Sequence, residues 1–170
     1  MGDKVNQTIV GYQGNVELSW IINGKRVSTF SHNEGLPALQ ESFCRIMTGN
    51  YRGKTDIPQY LDLRRSVNSG VTYSSMLKTS RLPLTGASWY LNGSTYEAKF
   101  TGVISSDMLV EAVSETSTDL YMLYLYTEAE TGTGVRDLAR LSVTAEDVSK
   151  IVPGVNSIVE WIMRLVNPTD

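Results

Sequence analysis

The chain offers few side chains able to act as nucleophile, base or metal ligand. It holds one histidine, His32, and one cysteine, Cys44. A thiol–imidazole pair needs those two within hydrogen-bond reach of each other. Cys44 instead falls beside Phe43 and Ile46 on an apolar helical stripe, which predicts a buried, inert thiol. His32 stands in His32-Asn33-Glu34-Gly35, a turn by composition, where an imidazole bonds to nearby backbone. Tetrahedral zinc needs clustered Cys and His, and neither a CxxC nor an HxxxH pair can be written. Glu111, Glu115 and Asp119 recur every four residues, a spacing that stacks carboxylates on one helix face and suits calcium. The intervening Ser114, Thr116, Ser117 and Thr118 make that stretch a loop instead. Glycoside hydrolysis requires two carboxylates facing across a cleft, and nothing marks out any two of the 18 acidic residues as such a pair. Neither a phosphate-cradling GxxxxGK[ST] loop nor a GxSxG elbow is present. No catalytic, cofactor-binding or metal-binding residue is assigned, no cofactor is expected, and the chain reads as a non-enzyme.

Charge and composition narrow the partners. The net charge is -3, whereas nucleic-acid binders carry a basic face. Lys25-Arg26 and Arg64-Arg65 are small basic spots, better read as solvated strand edges than as a phosphate grip. No window approaches the about 18 apolar residues of a membrane-spanning helix. No apolar segment follows Met1-Gly2-Asp3-Lys4, so no secretory signal is expected. One cysteine permits no internal disulfide, and folding in a reducing cytoplasm is compatible. Nine tyrosines and three tryptophans could build a sugar platform, but most of the tyrosines fall on predicted strands, where their role is core or sheet surface.

The elements that must position these residues are mainly strands. Residues 1–14 form an N-terminal arm or a first strand around Thr8–Tyr12, and residues 15–170 form a single domain. Val16, Leu18, Trp20 and Ile22 lie two apart, the period of a half-buried strand. Asn23-Gly24 then turns the chain into Lys25–Phe30, a strong hairpin signal. Pro37 opens a helix on which Leu36, Leu39, Phe43, Ile46 and Met47 make an apolar stripe, and Gly49-Asn50 closes it. Tyr60–Leu63 reads as a short strand, and residues 64–80 as irregular with a strand at Val71–Tyr73. A second hairpin runs through Trp89-Tyr90-Leu91, Asn92-Gly93 and Ser94–Ile104, with Tyr96, Ala98, Phe100 and Gly102 on one face. Leu120–Tyr126 is apolar on both faces, as in a central strand. Glu128–Gly134 is a turn, Asp137–Val143 a strand, Ala145–Val148 a helical turn and Ser157–Val166 the last strand. The expected fold is all-β: an antiparallel β-sandwich or jelly roll of roughly eight to ten strands, with one amphipathic helix packed on a sheet.

Three stretches, taken in order, carry a resemblance. They are Asn23-Gly24-Lys25 with His32-Asn33-Glu34-Gly35-Leu36-Pro37-Ala38-Leu39 and Thr48-Gly49-Asn50; then Ile57-Pro58-Gln59-Tyr60-Leu61-Asp62-Leu63; then Leu123–Tyr126, Asp137-Leu138-Ala139-Arg140-Leu141 and Val159-Glu160-Trp161-Ile162. Over residues 15–167 this order resembles small tail-fibre, baseplate and head-fibre proteins of tailed phages, including those of crAss-like gut phages. The stretch Tyr121–Tyr126 lacks the Glu and Gly of the corresponding family strand. The resemblance implies a virion structural protein with no catalytic residues, assembled in the bacterial host cytoplasm. Its partners would be other virion proteins, either the major capsid protein or tail and baseplate proteins, with self-association as a symmetric homo-oligomer, a trimer first. No nucleic-acid or membrane partner is expected. The alternative is a receptor- or glycan-binding module at a fibre tip, with a host-surface glycan as its ligand.

Overall fold

A computed structural model describes residues 11–22, 25–32, 34–67, 72–79, 81–128 and 135–166. The described elements are β1 (Gly11–Ile22), β2 (Lys25–His32), β3 (Glu34–Gly35), α1 (Pro37–Met47), β4 (Tyr60–Ser66), β5 (Ser74–Ser75), β6 (Leu82–Pro83), β7 (Gly86–Asn92), β8 (Thr95–Ile104), β9 (Leu120–Glu128), β10 (Val135–Val143), α2 (Ala145–Ser149) and β11 (Ser157–Val166). They form two sheets with antiparallel pairings throughout. The first runs β2-β1-β11-β8-β7, and the second runs β3-β10-β9-β4-β5 with β6 also on β4. The chain is therefore mostly β, as the alternating patterns predict.

The sheets share one core. Leu61 and Leu63 of β4 and Leu123 and Leu125 of β9 meet Val159 and Trp161 of β11 from the facing sheet. Gly102 of β8 lies directly against Leu61 of the facing sheet: a Cβ there would fall well inside van der Waals contact of Leu61 Cδ1. β9 is flanked by β10 and β4 and is buried on both faces, as expected of a central strand. β1 and β11 pair over their length, with Val16 opposite Trp161 and Leu18 opposite Val159.

Local chemistry explains the element ends. In α1, Pro37 occupies the first turn, where its missing N–H costs nothing. At the other end Gly49 takes φ +74°. Its N–H donates to Ile46 O at 3.2 Å, and Asn50 N–H donates to Arg45 O at 2.9 Å, the paired closure that a left-handed glycine permits. The β1–β2 register, Ile22 opposite Lys25, leaves a two-residue connection, although Asn23 and Gly24 lie outside the described residues.

Several expectations shift. Among the described residues the first strand already starts at Gly11 and runs to Ile22, so Gly11–Gly14 of the expected arm belong to it; Thr8–Val10 of the strand expected around Thr8–Tyr12 lie outside the described residues, as do residues 1–7. In the second hairpin Asn92 pairs with Thr95, so the central turn residues are Gly93 and Ser94, one place later than predicted, with Gly93 at φ +62°. The strand expected at Val71–Tyr73 is not there at residues 72–73; β5 follows at Ser74–Ser75, and Val71 is outside the described residues, as are 129–134 of the predicted turn. Helix α1 does lie along β10, but the residue it buries fully is Ser42. Its apolar stripe ends in solvent at Ile46 and Met47, and Met47 is 70% exposed. Consequently Cys44 is exposed, not buried as its apolar neighbours suggested.

Candidate interaction surfaces

The outer face of the second sheet carries a polar and aromatic cluster. On β4, Tyr60, Asp62 and Arg64 alternate with the core residues Leu61 and Leu63, so the strand period sends them outward. Asp62 stands opposite Tyr124 and Tyr60 opposite Tyr126, while β10 brings Asp137 opposite Tyr126. Arg64 Nε donates to Asp62 Oδ2 at 2.8 Å. Its two Nη atoms donate to the two Asp137 oxygens at 3.0 Å each, a bidentate fork. The guanidinium carbon lies 4.0 Å from the centroid of the Tyr124 ring, in cation–π range. The remaining Asp62 oxygen accepts the Ser75 hydroxyl at 2.6 Å. Tyr60 stacks on Tyr126 with centroids 5.3 Å apart, and its hydroxyl donates to Glu128 at 2.8 Å.

The electrostatics of this cluster fit a clamp. Burial raises the Asp62 pKa, against the opposing pull of Ser75 and Arg64. Burial also disfavours charged Arg64, but the bonds to Asp137 and Asp62 outweigh it and hold the guanidinium firmly protonated. The hydrogen bond to Glu128, aided by burial, raises Tyr60, and burial raises Tyr126. Arg64 thus engages three nitrogens with two carboxylates from different strands. The arrangement ties β4 and β5 to β10 across β9.

The outer face of the first sheet is laced in the same way but more openly. Glu160 of β11 accepts from Arg26 of β2 at 3.0 Å and from Lys99 of β8 at 3.3 Å. Burial opposes its ionisation, yet Lys99 and Arg26 prevail and lower its pKa. Glu97 is 6% exposed, with Arg164 at 3.8 Å and the Asn92 amide donating at 3.3 Å. Burial, then the bond to Glu97, pushes the Tyr90 phenol up to about 12.

These pairings place the basic spots noted in the sequence. Arg26 is held by Glu160, and Arg64 by Asp62 and Asp137. Arg65 is bonded to Glu111, with Asp119 at 3.8 Å. Two of the three carboxylates considered for calcium therefore face an arginine from a loop, not a shared helix face. Among the described residues no group of three or more His, Cys, Asp or Glu side chains is placed to hold a metal ion, and no helix is long and apolar enough to cross a membrane. His32 ends β2, paired with Asn15; its side chain lies outside the described set.

A third surface has the opposite character. On the β7–β8 hairpin, Trp89 is opposite Ala98 and Leu91 is opposite Tyr96. Strand alternation puts all four on the face that carries Phe100, and Phe100 is opposite the fully buried Trp161. Nevertheless Trp89 is 75%, Leu91 56% and Tyr96 64% exposed. The second sheet does not reach under the hairpin, so the core-facing side of the first sheet overhangs into solvent. Trp89 and Tyr96 contact each other there, with centroids 5.7 Å apart. The predicted shared face of Tyr96, Ala98, Phe100 and Gly102 is present, but only Gly102 is buried; Ala98 and Phe100 are half-buried and Tyr96 is exposed.

Sequence reasoning missed both the Arg64 cluster and the overhang. The first had a legible signal: Tyr60, Asp62, Arg64 and Ser66 at period two, opposite a strand apolar on both faces. The second had none, because alternation gives the direction of Trp89 and not the extent of the facing sheet. Comparison with known proteins finds no matching family, no matching curated protein and no matching solved structure.

Proposed function

We propose that this chain is a non-enzymatic structural protein of a bacteriophage virion, an assembly module of the particle surface. It would be either a capsid-attached head fibre or decoration protein, or a tail-fibre or baseplate component, folded in the host cytoplasm and working as a homo-oligomer among other virion proteins. The observation that carries the reading is the contrast of surfaces. Clustered charges on both outer faces are tied to one another, while Trp89, Leu91 and Tyr96 form a contiguous apolar patch of the kind that marks an interaction site. The order of sequence motifs supplies the virion context. The jelly-roll form of the two-sheet body is the finer structural reading, supported by pairings between strands far apart in sequence, β1 with β11 and β4 with β9.

The test is to probe particles purified from the culture whose genome encodes the chain, using an antibody raised against the purified protein, and to locate it by cryo-EM. Stoichiometric protein and matching density at repeated surface positions are expected. Particles that lack the protein and assemble normally without its gene would overturn the reading.

One observation favours a second reading, glycan binding at a fibre tip. The Trp89–Tyr96 pair stands at a hairpin end beside Asn92, a combination of aromatic face and amide that suits a sugar ring. A glycan array that stays silent with the assembled protein removes it.

A further inference from the structure

A sheet edge presents unpaired N–H and C=O groups, and proteins blunt such edges with short strands, charge, proline or a covering element. Three of the four edges here are blunted. β10 is covered by the two-residue β3 and by α1, and β4 by the two-residue β5 and β6. β2 carries Lys25, Arg26 and His32. Among the described strands β7 is the exception. It reads Gly-Ala-Ser-Trp-Tyr-Leu-Asn, seven residues without a charge or a proline, and every residue but Tyr90 is exposed.

The register says which groups are unpaired. Asn92 and Thr95 close a two-residue turn, so they form a hydrogen-bonded pair, and the pattern alternates along the hairpin. Tyr90, Ser88 and Gly86 therefore bond to β8, whereas the backbone N–H and C=O of Leu91, Trp89 and Ala87 point away from the sheet. Those same residues project their side chains onto the exposed apolar overhang. Unpaired backbone and uncovered apolar surface coincide on one strand.

We infer that β7 pairs antiparallel with β7 of a second copy of this chain, about a two-fold axis through Trp89. This inference rests on the assembly reading and names the self-contact within it. The strand is self-complementary in that register. Trp89 faces its own copy, small Ala87 faces Leu91, Ser88 faces Tyr90, and no like charges oppose. Every outward-pointing group of Ala87, Trp89 and Leu91 gains a partner. The first sheets of the two copies become one continuous sheet, with both Trp89 side chains on the same overhanging face, where each covers the other's apolar neighbours. The self-contact inferred is two-fold, whereas the resemblance implies a trimer first.

The experiment is solution mass across a dilution series, by light scattering and native mass spectrometry, on the full chain. A dimer is expected. Trp89→Lys, at a side chain that touches solvent and should not alter folding, is expected to weaken it at least about thirtyfold, as for an interface hot spot. Ala87→Pro, which removes one outward N–H without touching the β8 ladder, is expected to weaken it by a similar route. Met47→Lys, at an equally exposed apolar residue elsewhere, should leave the dimer intact. The register is read by cross-linking. Hydrogen-bonded antiparallel partners have Cα atoms about 5.5 Å apart, within disulfide range. In a Cys44→Ser background, an Ala87→Cys chain mixed with a Leu91→Cys chain should give a covalent dimer on mild oxidation, and Ser88→Cys alone should not. A monomer at all concentrations, a trimer, or a dimer indifferent to both edge variants overturns the inference. Each of these readouts is independent of whether the protein is found on particles, so failure of the edge pairing is separable from failure of the virion reading.

Discussion

The Arg64 cluster and the β7 edge lie on opposite sheets and are built on opposite terms. At the cluster, polar groups largely removed from water have found partners inside the fold: one guanidinium serves Asp62 and Asp137, and Ser75 completes Asp62. At the edge, apolar side chains and backbone groups remain exposed although three of them belong to the core-facing side of a sheet. The difference shows where this fold is finished and where it is not. A desolvated charge without a partner is too costly to persist, so the cluster must be closed within one chain. An exposed strand edge costs far less, because water satisfies it, and can be left for association.

The closed cluster is the side more sensitive to substitution. Arg64→Ala leaves Asp62 and Asp137 without their cation and is expected to cost about 3–5 kcal/mol in chemical denaturation. Asp62→Asn, which removes a charge that burial already disfavours, should cost clearly less. A loss below about 1 kcal/mol for Arg64→Ala would mean the cluster is a solvated ion pair and not a clamp.

Next in size is the contact between the layers. Gly102→Ala drives a methyl group into Leu61 and is expected to cost about 1–3 kcal/mol. Adding Leu61→Val should recover part of that loss, since the two positions share one contact. Additive losses would mean that the two positions do not share a contact.

A smaller, pH-dependent pair of effects separates the two outer faces. The Glu160 pKa is lowered in the fold, so its contribution is full above its unfolded pKa and is lost as pH falls through the folded value. Asp62 is raised, so its contribution is full below the unfolded pKa and is lost as pH rises through the folded value. Denaturation of Glu160→Gln and Asp62→Asn against the parent, over an acid pH series, should therefore show opposite trends. For the partly exposed Glu160 pairs the effect at neutral pH should stay below about 1 kcal/mol.

The smallest effect is expected at the open side. Trp89→Lys should leave the unfolding free energy of the dilute chain within about 0.5 kcal/mol of the parent. A large destabilisation would show that Trp89 belongs to the monomer's own packing.

Much of the strand plan was legible because alternation is a local property. Ser157–Val166 and the two-residue β1–β2 connection were read with their boundaries, and Leu120–Tyr126 was read as central because both its faces are apolar. The two-residue strands β3, β5 and β6 were not, since so few residues carry no period. The exposure of Cys44 escapes the local pattern for a related reason: the stripe on α1 shows which side is apolar, but the helix lies on β10 by the side that buries Ser42 and leaves Ile46 and Met47 outside. The serines and threonines of Glu111–Asp119 mark it as a loop, but its partner Arg65 lies 46 residues from Glu111, a pairing that spacing does not encode.

Residue order alone thus determined the all-β character, the Pro37-to-Gly49 helix and the directions in which successive side chains point, because each depends on backbone preferences within a few neighbouring positions. Tertiary structure alone decided that Arg64 joins two carboxylates from different strands, that Gly102 must remain bare against Leu61, and that the second sheet stops short of Trp89. Those outcomes depend on which strands become neighbours and how far each sheet extends, and these are distances through space that no local pattern encodes.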